Sequence, residues 1–299
     1  MMPQLLAYTV DDFLKAPVAE VAGYAPASIV YAPSGTRRGA ALAGVPLQGA
    51  QFAHWMHQGM VNACDILFTH GVRNIFTLAI GSGQFDETGD YPDQMVDWLE
   101  WGLTDPKILA EYDALGWRVR LLTDDAPRLR RIADQLHAHE LQRHTKTLWY
   151  TVATTAESPW GWIIQAIVRS GARSRRDAVY SLYGEDVPLV TLFLSFGKPI
   201  VTAELFPPLL VGKVQCYWSQ RPGYALTVHD WRLILYDYAF LRTTWQADKS
   251  DRTKDVLNYR TLWERGPILG LGQRLGPFWY PLQTDWPALD DGTDEPPNG

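Results

Sequence analysis

The chain has 299 residues, 46% of them hydrophobic and 20% charged, and a formal net charge of -6. This is the composition of a folded protein long enough to bury a large core, and its negative balance excludes a surface built to coat nucleic acid. Two cysteines, Cys64 and Cys216, exclude a disulfide framework and a cysteine-rich zinc site.

The start, MMPQLLAYTVDDFLKAP, carries acids where a signal peptide needs an apolar core. No apolar run approaches the about 20 residues that cross a bilayer. A cytoplasmic protein without stable membrane insertion is expected.

In chain order, ASIVYA (27–32) reads as a buried strand. The stretch 48–71 has helical spacing, with Phe52, Trp55, Met56, Met60, Ala63 and Ile66 near one face and Gly71 as the stop. VRNIFTLAI (72–80) is the next strand. Two helices, each ended by glycine, follow in YPDQMVDWLEWG and DPKILAEYDALG. WRVRLLT (117–123) is a strand, APRLRRIADQLHAHEL a helix and TLWYTVAT (147–154) a strand. Helix is expected over 158–184 with a break near Gly171. VTLFLS (190–195) and KVQCYW (213–218) are further strands, and 227–245 and 250–264 further helices. Strands separated by helix-length segments predict an α/β fold with a parallel sheet flanked by helices. Residues 1–284 are read as one catalytic domain. The segment 285–299 is acidic, rich in proline and glycine, and expected to be disordered.

Chemistry concentrates in SGTRRG, directly after the first buried strand. Ligands of open α/β sheets bind beyond the carboxyl ends of the strands. Gly35 lets backbone approach a ligand, and main-chain N–H groups at such a turn favour an anion. Arg37 and Arg38 add planar forks suited to phosphate oxygens; a solvated arginine pair is the plain alternative. The segment is neither a Walker loop nor a dinucleotide fingerprint, and the Gly-x-Gly of LGLGQRLG (269–276) does not open a βαβ unit.

Other features are more ambiguous. DETGD (86–90) fits the D-(D/E)-x-x-D pattern that binds Mg²⁺ on helices, but Thr88-Gly89 points to a solvated loop, with a metal site as the fallback. His54 and His57 are three residues apart, without a visible third ligand; either can be an ordinary half-buried histidine or the base that activates a water. Ser174–Arg176 reads as a charged helix start. The 13 tryptophans and 14 tyrosines suit either core packing or an aromatic pocket for a large apolar ligand.

The ordered set DDFLKAPVAEV, GTRRG, ILFTHGV, ILAEYDALGWRVRLL, SRRDAVYSLYGEDV, FLSFGK, RLILYDYAFLR and LGLGQRLGPFWY resembles the cis-prenyltransferase superfamily. More closely, it resembles that superfamily's diterpene-synthase branch, typified by tuberculosinyl adenosine transferase. The resemblance runs through almost the whole chain. It implies the cis-prenyltransferase fold, a homodimer, and an isoprenoid diphosphate held by Gly35, Thr36, Arg37 and Arg38. It also implies ionisation of a bicyclic diterpenoid diphosphate followed by water addition. Capture by another nucleophile such as adenosine, or a non-catalytic diphosphate-binding subunit, are the alternatives. By the same resemblance, Lys198 is a second diphosphate contact, Tyr91 touches diphosphate or substrate, and Phe52 replaces a tyrosine while keeping its ring for a cation. Ser34 stands where the superfamily has an aspartate tied to Mg²⁺ and diphosphate. KVQCYW lacks the glutamate of the chain-elongating branch. Mg²⁺ is thus the implied cofactor, with its usual ligands missing.

Overall fold

The computed structural model describes residues 8–139, 144–242, 244, 250 and 252–282. They fall into two units that divide between residues 243 and 244.

The first unit begins with α1 (Val10–Lys15) and α2 (Val18–Ala22), then β1 (Ser28–Ala32), α3 (Thr36–Leu42), α4 (Gly49–Thr69) and β2 (Asn74–Ile80). It continues through α5 (Ser82–Phe85), α6 (Tyr91–Thr104), α7 (Pro106–Leu115), β3 (Trp117–Thr123), α8 (Pro127–Ala138) and β4 (Lys146–Val152). It ends with α9 (Ser158–Ser170), α10 (Arg175–Tyr183), β5 (Val190–Phe196), β6 (Val211–Ser219) and α11 (Val228–Tyr236). The six strands form one sheet in the order β3-β4-β2-β1-β5-β6, and every pair is parallel. Central β1 is buried along its whole length, which is why it reads as an unbroken apolar run.

Two cores flank the sheet. The larger joins Ile29 and Tyr31 of β1 to Met60, Cys64 and Leu67 of α4 and to Trp231 and Leu235 of α11. The smaller packs Val30, Phe76 and Phe193 against Val179 and Tyr183 of α10. The alternation of β1 residues between these cores follows from the two-residue period of a strand.

Gly71 stops α4 as the sequence predicts. Its φ is +100°, and a Cβ there would lie 2.4 Å from the Ala22 carbonyl oxygen. Gly171 breaks α9 from α10, with a left-handed backbone at the helix end. Ser174 caps α10 by accepting from the Asp177 N–H, so the charged segment is a helix start.

Four expectations change. The helix over 91–102 does not end at Gly102. It runs to Thr104, where Pro106 forces Asp105 into extended backbone. The arginine segment, read as a turn, opens the short helix α3 at Thr36. The helix expected over 227–245 is α-helical only to Tyr236; Asp237–Leu241 is a π-helical turn, which lets Asp237 accept from the Tyr217 hydroxyl of the edge strand at 2.6 Å. Residues 243 and 245 of that stretch lie outside the described residues. The helix expected over 250–264 is two helices, α12 (Arg252–Asn258) and α13 (Arg260–Arg265).

Both belong to the second unit. It also contains a hairpin of β7 (Gly272–Leu275) and β8 (Phe278–Pro281), in which Leu275 pairs with Phe278. The sequence reading had no hairpin there. The acidic segment 285–299 lies outside the described residues.

Candidate active site

A cavity of about 600 Å³ opens at the carboxyl ends of β1, β2 and β5. The sequence places it there because β1 is followed at once by Ser34-Gly35-Thr36. Gly35 sits at the N-terminal boundary of α3 with φ +78°, and a Cβ on it would come within 2.7 Å of Arg38 Nη2. Glycine therefore serves twice here, for the left-handed turn and for the close approach of a guanidinium. No side chain caps the first turn of α3, so its N–H donors remain available.

Ser34, Gly35, Thr36, Arg37, Phe52, Tyr91 and Lys198 all line this cavity. The structure thus gathers seven of the eight predicted site residues on one surface. Arg38 is the exception. Its guanidinium folds over Gly35 rather than facing the chamber, and its buried Nε has no hydrogen-bond partner.

Arg37 is held from two sides. Its Nη2 donates to Glu87 Oε2 at 3.2 Å, and its guanidinium carbon lies 4.1 Å from the centre of the Tyr91 ring. Tyr91 is in turn edge-on to Trp98. The hydroxyl of Ser34 donates to the Phe196 carbonyl at the end of β5. Lys198 is exposed just beyond that strand.

Behind this cationic mouth the walls are apolar. Phe52 is 1% exposed, stacked on Trp55 and edge-on to Trp98 at 5.4 Å between ring centres. Ala53, Met56, His57 and Met60 continue the α4 wall. The α6 wall presents Met95, Trp98, Leu99 and Gly102, spaced i, i+3, i+4 and i+7 and so on one helical face. Tyr112, Tyr150 and Tyr224 close the remaining sides. Burial pushes all three phenols up, Tyr224 to about 12, so they remain protonated at neutral pH.

His57 and His54 part company. His54 is exposed and bonds the Ala50 carbonyl in its own helix. His57 lines the cavity, and its Nε2 lies 2.7 Å from Glu111 Oε2 on α7. DETGD is a turn between α5 and α6, as the loop reading anticipated. Its Glu87 is committed to Arg37.

The mouth does not fit a protein-held Mg²⁺. Among the described residues, no group of three or more His, Cys, Asp or Glu gathers to hold a metal ion. The mouth offers cationic side chains, a serine whose proton is engaged and a single carboxylate, Glu87, paired with Arg37, whereas Mg²⁺ favours several oxygen ligands.

Sequence reading missed the α6 wall, Tyr112, Tyr150, Tyr224 and the His57–Glu111 pair. The helical spacing of Met95, Trp98, Leu99 and Gly102 was legible, but which space that face meets was not. Tyr224 arrives through a loop whose Gly223 packs against Pro33, where a Cβ would come within 2.4 Å of Pro33 Cα.

The architecture agrees with solved structures. Lavandulyl diphosphate synthase from Lavandula x intermedia, crystallised with dimethylallyl diphosphate, matches with a TM-score of 0.55 at 12% identity, over 73% of this chain and 97% of that one. A probable undecaprenyl diphosphate synthase from Campylobacter jejuni matches at 0.53 and 13% identity, over 74% and 98%. The fold is that of the cis-prenyltransferases. The chain matches no protein-family model.

The sequence relatives are more specific. The chain is 44% identical over 278 residues to a (+)-kolavelool synthase of Herpetosiphon aurantiacus, covering 92% of this chain and 96% of that protein. It is 26% identical over 238 residues to tuberculosinyl adenosine transferase of Mycobacterium tuberculosis, covering 74% and 79%. The chain belongs to the family of kolavelool synthase-like diterpene synthases, terpene synthases built on the cis-prenyltransferase fold.

Proposed function

We propose that the protein ionises kolavenyl diphosphate, a bicyclic diterpenoid diphosphate, and adds water at the tertiary carbon of the allylic cation. The products are kolavelool and diphosphate. The observation that carries this reading is a cationic mouth continuous with an aromatic chamber of about 600 Å³. That volume lies in the usual range of about 300–1,000 Å³ for small-molecule sites.

In this reading, Gly35, Thr36, Arg37 and Lys198 hold the diphosphate and stabilise the negative charge it gains as the carbon–oxygen bond breaks, and Arg38, folded over Gly35, adds its positive charge from behind that turn. Ser34 joins them by turning its O–H from the Phe196 carbonyl to a diphosphate oxygen. Tyr91 positions Arg37, and Phe52 turns its ring face to the cation. Dry walls protect the cation from stray water until the intended molecule attacks. Any Mg²⁺ enters on the substrate diphosphate, because among the described residues no cluster of carboxylates gathers at the mouth to retain one. Every residue of this site belongs to the first unit.

A homodimer in the cytoplasm completes the proposal. Trp160, Ile164, Ile167 and Val168 form an exposed apolar stripe on α9, a surface that a second copy would cover. Among the described residues, no helix is long and apolar enough to cross a membrane.

The test is product analysis after incubating the purified protein with kolavenyl, tuberculosinyl or farnesyl diphosphate, with and without adenosine. Kolavelool from kolavenyl diphosphate supports the reading. An adenosine adduct as the main product assigns the chain to nucleophile transfer. No diphosphate release from any substrate overturns both.

A further inference from the structure

Water addition leaves a proton that must go somewhere. Attack by a neutral water on a tertiary cation gives an oxonium ion. Unless a base removes that proton, water is lost again or a neighbouring carbon loses a proton to give an olefin. The cavity walls contain few candidates. Among the described lining residues there is no Asp, Glu or Cys. Burial keeps Tyr112, Tyr150 and Tyr224 protonated. Arg37 is a fixed cation, and Lys198 is an exposed ammonium at the mouth. Tyr91 carries the Arg37 guanidinium over its ring. One imidazole remains, that of His57.

Its surroundings suit a base. His57 sits on α4, five residues after Phe52 and four after Ala53, so it lies one turn further along the same lining face. Its side chain is 13% exposed. The ring is fixed edge-on against Trp101 and Tyr112, each 5.8 Å between centres. Nε2 lies 2.7 Å from Glu111 Oε2. A carboxylate only accepts, so Nε2 carries the hydrogen, and in the neutral ring the lone pair is on Nδ1. Carboxylate pairing of this kind fixes the tautomer of a base and stabilises the imidazolium it becomes. The Glu111 side chain is 36% exposed, so the pair links the chamber wall to bulk solvent.

We propose that His57 is the base for water addition and that Glu111 is its positioning residue and proton outlet, an assignment that rests on the diterpene-alcohol reading above. The allylic carbon–oxygen bond breaks first, and its electron pair leaves with the diphosphate. A water lone pair then forms the new carbon–oxygen bond at the tertiary carbon. His57 Nδ1 takes one proton from the resulting oxonium, directly or through a second water. The neutral alcohol remains. The imidazolium passes its Nε2 proton by way of Glu111 to solvent, and proton exchange with water then returns the ring from its Nδ1–H form to the Nε2–H starting state.

The experiment separates ionisation from capture. Kolavenyl diphosphate is incubated with wild type, His57→Gln, His57→Ala and Glu111→Gln, and diphosphate release is recorded beside the alcohol-to-olefin ratio. For His57→Gln, diphosphate release should stay within about threefold of wild type while the alcohol-to-olefin ratio falls at least about tenfold. Glu111→Gln should shift the ratio in the same direction by less, with an unchanged melting temperature, because its side chain is partly exposed. Added imidazole should restore alcohol to His57→Ala, a rescue that a packing role would not produce. An unchanged ratio in both His57 variants overturns the assignment. A loss of diphosphate release with the ratio intact does so too, because the residue would then act before capture. Should His57 variants fail to fold, an unchanged ratio in Glu111→Gln overturns the relay. Wild type that releases diphosphate but forms no alcohol, or releases none, instead overturns the reading beneath it.

Discussion

Replacing Arg37 by alanine separates a substrate contact from a structural one. In the free protein, Arg37 pairs with the exposed Glu87 and the half-buried Tyr91. Its pair with Glu87 joins side chains that are 50% and 40% exposed, and such pairs contribute about 0–1 kcal/mol to stability. The Tyr91 ring adds roughly 0.5–1 kcal/mol at an exposed site. Losing both should lower Tm by only a few degrees, because about 1 kcal/mol corresponds to about 2–4 °C in a chain of this size. The leaving diphosphate makes a stronger demand. A hydrogen bond to a charged group is worth roughly 1.5–3 kcal/mol. The expected loss in kcat/KM is therefore about ten- to 150-fold. Glu87→Gln provides the opposite control. It removes the carboxylate that competes with diphosphate for Arg37, so KM should fall or hold while Tm stays close to wild type. The assay is diphosphate release from kolavenyl diphosphate beside a thermal melt. Arg37→Ala with near-wild-type kcat/KM refutes the reasoning, as does a kcat/KM loss explained by unfolding at the assay temperature.

Three further outcomes are expected. Phe52→Leu should lose roughly 0.5–2 kcal/mol of cation stabilisation, about two- to 30-fold in turnover, with more elimination product, while Phe52→Tyr stays active; normal turnover and products with a lowered Tm would make the residue core alone. Gly102→Leu should fill the α6 wall, where an added Cβ meets nothing within 4 Å, and raise KM for kolavenyl diphosphate at least about tenfold while sparing farnesyl diphosphate; equal effects on both substrates would place that face outside the chamber. His70 is buried beside Arg232, which donates to it at 3.3 Å and also ties α11 to the carbonyls of Leu14 and Ala16. Burial lowers its pKa, so its contribution is complete above the unfolded value near 6.5 and is lost as pH falls through the folded value. The urea midpoint should drop between pH 7.5 and 5, and His70→Gln should flatten that slope; parallel slopes would show that other groups set it.

The sheet was legible because its strands are buried on both faces. Ile29, Val30 and Tyr31 had to be apolar wherever they pointed, so the run announced itself. Gly71 and Gly171 marked helix ends through a conformation that other residues avoid. The mouth was legible because Ser34–Arg38 is continuous in sequence. The chamber was less so. Trp98 and Phe52 are 46 positions apart, and nothing in either segment tells which face meets the other. His57 and Glu111 are separated by 54 residues, so the histidine showed no partner until α4 and α7 were brought together. The short α3 was hidden by its own composition, since seven residues beginning Thr-Arg-Arg read equally well as a turn. Arg38 follows Arg37 in sequence, but its guanidinium folds over Gly35 instead of lining the chamber, because successive helical residues do not face the same way.

The most direct test of the central claim is incubation of the purified protein with kolavenyl diphosphate in ¹⁸O-labelled water, followed by mass analysis of the alcohol. Ionisation and capture predict kolavelool carrying ¹⁸O at its tertiary carbon, formed together with released diphosphate. An unlabelled primary alcohol would mean that the phosphorus–oxygen bond had broken instead, and would contradict the carbocation account.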